Sequence, residues 1–83
     1  MHQTIYEPTR FEIVLKDRVY PCQAFDCPMG LIFRVEFGKS CLTVTKAKGA
    51  KGQSFWTSLP EDTKINALVQ ELGQVIEQTF KNL

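Results

Sequence analysis

The spacing of apolar residues changes once along this chain, and that change limits the fold more than any other feature. Up to about residue 58 they tend to recur at every second position, whereas from Ile65 onward they recur at intervals of three and four. The first period places alternate side chains on one face of a strand; the second draws a stripe along a helix. A run of alternating segments followed by one helical segment predicts an α+β fold, a four- to five-stranded antiparallel sheet with one C-terminal helix packed on one face.

The segments can be placed individually. RFEIVLK sets Phe11, Ile13 and Leu15 against Glu12, Val14 and Lys16, and VYPCQAFD returns after a turn at Asp17-Arg18. Pro21 cannot donate to a ladder, so this second strand is expected at an edge or a bulge. Cys27-Pro28-Met29-Gly30 breaks the chain before LIFRVEF, where Leu31, Phe33, Val35 and Phe37 face away from Ile32, Arg34 and Glu36. Gly38-Lys39-Ser40 turns into CLTVTK, with Leu42 and Val44 toward the core, and after AKGAKGQ the segment SFWTS is β-favouring. Residues 1–9 lack periodicity and read as a lead-in to a single domain over residues 1–83.

The helical stripe runs through Ile65, Leu68, Val69, Leu72, Val75, Ile76, Phe80 and Leu83. Two starts fit: Ser58 with Glu61 as a capping box, or Asp62 or Thr63 as cap of a helix from Lys64. Gly73, inside the stripe's span, costs about 1 kcal/mol relative to Ala. It implies close packing onto the sheet or, alternatively, close approach of a partner helix.

With one helix, one sheet face stays open. It should carry Glu12, Val14, Lys16, Ile32, Arg34, Glu36, Thr43 and Thr45. If Phe55 points inward from SFWTS, Trp56 joins them; Trp56 also fits a core position, since Phe55 and Leu59 beside it are apolar. Net charge is +1, but residues 39–60 hold Lys39, Lys46, Lys48 and Lys51 with no acid. Such a cluster offers phosphate contacts, although lysine-rich hairpin loops also serve as solubilising turns and edge protection.

Most catalytic chemistries lack their residues. Gly49 and Gly52 stand three apart and Gln53 follows, so the Walker pattern fails, and no dinucleotide motif occurs. A cysteine nucleophile needs a base, and the sole histidine is His2 at the terminus. Cys22 and Cys27 are spaced wider than a zinc knuckle, without a second pair, and an odd thiol count suits a reducing compartment. Glu12 and Glu36 share a face with Lys16 and Arg34, which suits surface ion pairing better than acid-base work. No enzyme, cofactor or metal is expected. No apolar run is long enough for a membrane span and no signal peptide is legible, so a cytoplasmic address is the default expectation.

SFWTSLPED followed by LVQELGQVIEQTF resembles a group of small uncharacterised bacterial proteins sharing an FWTS-apolar-Pro-Glu segment before a similar helix. That resemblance implies no activity. The order of strands then helix is also similar in layout to PUR-type single-strand nucleic-acid-binding repeats, which implies a sheet face that contacts nucleic acid. The expected function is a non-enzymatic binding module, for self (as a homodimer) or another protein, with partner contacts at Trp56, Arg34, Thr43 and Thr45. The alternative is single-stranded nucleic-acid binding through Lys39, Lys46, Lys48 and Lys51 and the sheet face.

Overall fold

The computed structural model describes residues 9–28 and 30–81. Strands β1 (Thr9–Leu15), β2 (Arg18–Cys27), β3 (Gly30–Phe37), β4 (Ser40–Lys48) and β5 (Ser54–Ser58) form one sheet in the order β1-β2-β3-β4-β5. Every neighbouring pair is antiparallel. A 3₁₀ turn at Thr63–Ile65 then leads into helix α1 (Asn66–Lys81). The fold class is therefore as expected, an α+β layout with the helix against one sheet face.

Connections between consecutive strands are short, so each strand lies beside its predecessor, as hairpins require. The first turn sits one residue earlier than Asp17-Arg18. Leu15 pairs with Arg18, and Lys16 and Asp17 form the two-residue loop with φ of 52° and 65°. Positive φ at both positions matches the twist of the flanking strands, and Asp tolerates that region better than most residues. Thr9 already belongs to β1, opposite Ala24. The rest of the proposed lead-in, with His2, lies outside the described residues, as do Met29 and Leu83.

Pro21 is neither on an edge strand nor at a bulge. It pairs with Glu12 of β1, while the ladder between β2 and β3 begins at Cys22 opposite Val35. The residue without an N–H thus stands at the end of that ladder, where little backbone bonding is lost.

One layer of side chains fills the space between sheet and helix. Ile13, Leu15, Cys22, Ala24, Phe33, Val35, Val44 and Trp56 meet Val69, Leu72 and Ile76 of α1. Each fully buried aliphatic side chain contributes roughly 1.5–3 kcal/mol. Phe33 sits among other rings, with centroids 6.3 Å from Phe11, 5.4 Å from Phe80 and 5.6 Å from Trp56.

Asp62 caps the helical segment, its carboxylate accepting from the Lys64 N–H at 3.0 Å. Ser58 acts differently from a capping box. Its buried hydroxyl accepts from the Asp62 N–H at 2.9 Å and donates to the Pro60 carbonyl at 3.0 Å, which closes the link from β5. The Leu59–Pro60 peptide in that link is cis.

Candidate interaction surface

Residues opposite one another on neighbouring strands share a face, so the pairings map the open side of the sheet as rows. Arg10 lies opposite Gln23, Gln23 opposite Arg34, and Arg34 opposite Thr43. One step along the strands, Glu12 lies opposite Pro21 and Glu36 opposite Cys41. A further step brings Val14 opposite Val19 at the hairpin end. On the other side of the arginine row, Phe25, Ile32, Thr45 and Thr57 lie in line, and Ala47 faces Phe55 beyond them. The open face is thus striped: apolar, acidic, basic, apolar.

Its apolar members differ in exposure, Phe25 and Ile32 being half-buried and Val14, Val19 and Phe55 exposed. Val14 is 59% exposed, Val19 56% and Phe55 42%. Two shallow depressions, of about 300 and 270 Å³, meet at Gln23 and Glu36; Arg10 and Glu12 border the first and Arg34 the second. Among the described residues the ion pairs are Lys16–Glu71 and Lys46–Glu77. Neither involves the charged rows of the open face.

Arg34, Thr43 and Thr45 therefore occupy the expected face. Thr45 is also tied into the sheet, its hydroxyl donating to the Leu31 carbonyl at 2.7 Å. Trp56 does not join them. It pairs with Lys46 on β4, turns toward the helix and is only 7% exposed, while Phe55 takes the open side. Gly73 explains the fit. A methyl at that position would overlap the indole Cγ, Cδ1 and Cδ2 atoms, so only glycine lets α1 lie on the ring. Gln70 completes the contact by donating from Nε2 to the Trp56 carbonyl at 2.6 Å. Both Trp56 and Gly73 are thus used within the chain, and Gly73 is explained by packing onto the sheet.

The four lysines do not form one patch. Lys39 is in the β3–β4 turn and Lys48 at the far end of β4, about 30 Å away at strand rise. Lys46 faces the helix side and its ammonium donates to Glu77 at 2.6 Å. Lys51 sits in the β4–β5 loop, whose amides are already engaged within the loop. Gly49 N–H donates to the Gln53 carbonyl at 2.7 Å, Gly52 N–H to the Gly49 carbonyl at 3.0 Å and Lys51 N–H to the Gln53 side chain at 3.1 Å. A loop holding its own amides this way has few left to cradle a phosphate.

The thiols are equally dispersed. Cys22 lies under the helix, where burial pushes its pKa from 9.0 up to about 12, while Cys27 and Cys41 belong to opposite ends of the open face. Glu12 and Glu36 are not cross-strand neighbours, because β2 passes between them, and Lys16 leans toward Glu71 of the helix at 3.9 Å.

One concave feature has no counterpart in the sequence reading. A cleft of about 300 Å³ opens between sheet and helix, walled by Leu31, Phe33, Trp56, Ile76 and Phe80, with the Lys46–Glu77 pair at its rim. Its signal was hidden because its walls come from β3, β5 and α1.

The fold and surface together define an α+β domain with a helix-backed antiparallel meander and one solvent-facing sheet face. Comparison with known proteins adds no relative: no family matches the chain, and neither a curated protein nor a solved structure matches it. No helix among the described residues is long and apolar enough to cross a membrane.

Proposed function

We propose that this chain is a non-enzymatic binding module that contacts other protein through the open face of its sheet. The observation that carries this reading is the exposure of Val14, Val19 and Phe55 on the side opposite the helix. Val14 and Val19 form one exposed apolar pair at the β1–β2 hairpin end and Phe55 a second apolar site at the β4–β5 end, with charged rows between them, and exposed apolar side chains rimmed by polar ones mark contact surfaces. The dispersed lysines leave the nucleic-acid alternative without a continuous positive track, so the protein reading is preferred.

A photo-cross-linking residue at position 55 or 19 tests it in cell extract. Discrete protein adducts are expected from these sites and none from position 74, which is exposed on the helix. Equal labelling at all three positions, no adduct at all, or adducts removed by nuclease would overturn the reading.

A further inference from the structure

The striping of the open face is self-complementary, and we infer from it that the partner is a second copy of this chain. This rests on the binding-module reading and names its occupant. A two-fold axis lying in the interface, across the strands and between the acidic and basic rows, turns each row onto the one at equal distance on the other side. The acidic row then faces the basic row, and the valine row faces the row of Phe25 and Ile32.

Because such an axis keeps each strand over its own counterpart, the pairs can be named. Glu12 meets Arg10 of the second copy, Glu36 meets Arg34 of the second copy, and Val19 meets Phe25 of the second copy. Each ion pair occurs twice by symmetry, as in any isologous interface. Packed sheets stand about 10 Å apart, which an arginine and a glutamate extended toward each other can span. The two depressions around Gln23 leave room for the long side chains.

The alternative register fails on the same grounds. Sliding one copy by two residues sets like charges or a valine against an arginine, and like-charge contact is strongly unfavourable. Size is adequate: at about 4.8 Å per strand and about 25 Å of strand length, the five strands offer roughly 600 Å² in plan, comparable to the ~800 Å² of accessible surface a standard interface takes from each partner. On the β5 edge the Trp56 carbonyl is already held by Gln70, which weakens edge pairing there.

Sedimentation equilibrium on the full chain, with Arg34→Glu and Glu36→Arg as variants, tests the inference. The wild type is expected to dimerise, and each single variant to weaken the dimer about tenfold or more by setting like charges together. An equimolar mixture of the two variants is expected to recover a mixed dimer, because every acid then faces a base. Circular dichroism of each variant checks that it is folded. A wild-type monomer, a dimer indifferent to both substitutions, or a mixture that stays monomeric would overturn the inference. If the chain is monomeric but position 55 or 19 still cross-links to proteins of other mass, the binding-module reading survives with a different partner. If the adducts vanish as well, both fall.

Discussion

Cys22 and Trp56 show how far a residue's role depends on what covers it. Both cysteine and tryptophan suit a core or a functional site, and the alternation of SFWTS is equally satisfied with Phe55 or Trp56 inside. Register decides: Lys46 faces Trp56 and Val44, which is buried, faces Ser58, so the face holding Val44 also holds the indole. Burial under α1 raises the Cys22 pKa from 9.0 to about 12. The folded chain therefore holds this proton more tightly than the unfolded chain, and the thiol's contribution to stability is complete below pH 9 and lost as pH rises toward 12. Urea denaturation of wild type and Cys22→Ala across that range should show the wild type's advantage shrinking as pH climbs. A gap that does not change with pH would mean the thiol is not held in this way.

At the scale of elements, the strands and the helix were largely legible, because each rests on a local period. The boundaries that moved depended on turn chemistry. The first hairpin closes at Lys16-Asp17, a choice governed by which two residues take positive φ. A sound local rule puts Pro21 at an edge or a bulge, yet it stands within β2 because the ladder to β3 begins only at Cys22. The contact between α1 and β5 was visible only as an oddity, a glycine inside a helical stripe. Gly73→Ala should lower stability although alanine favours a helix by about 1 kcal/mol over glycine, because overpacking against the indole costs about 1–3 kcal/mol and the ring has little room to yield. A net loss of up to roughly 2 kcal/mol in urea is expected, accompanied by a change in Trp56 fluorescence. A more stable variant would show that helix and ring are less closely apposed.

On the scale of the whole molecule, the two sheet faces have opposite duties, and equivalent substitutions should separate them. Phe33 is buried among Phe11, Phe80 and Trp56, so Phe33→Ala should cost about 3–5 kcal/mol in thermal or urea unfolding. Phe55→Asp, on the open face, should stay within about 0.5 kcal/mol for the isolated chain. Comparable losses from both would place Phe55 in a second core. Only at this scale does the charge distribution become interpretable. Four lysines close in sequence are carried apart by β4, while Arg10, Glu12, Arg34 and Glu36, from two strands, are gathered into adjoining rows.

The sequence alone determined the fold class, the sheet-then-helix order and the members of the open face around Arg34, Thr43 and Thr45, because these follow from side-chain period and so from local backbone geometry. Tertiary structure decided that Trp56 lies under Gly73, that the lysines separate and that the open face is striped. Each of those depends on register between strands distant in sequence, and register is set by the joint packing of sheet and helix rather than by any one segment.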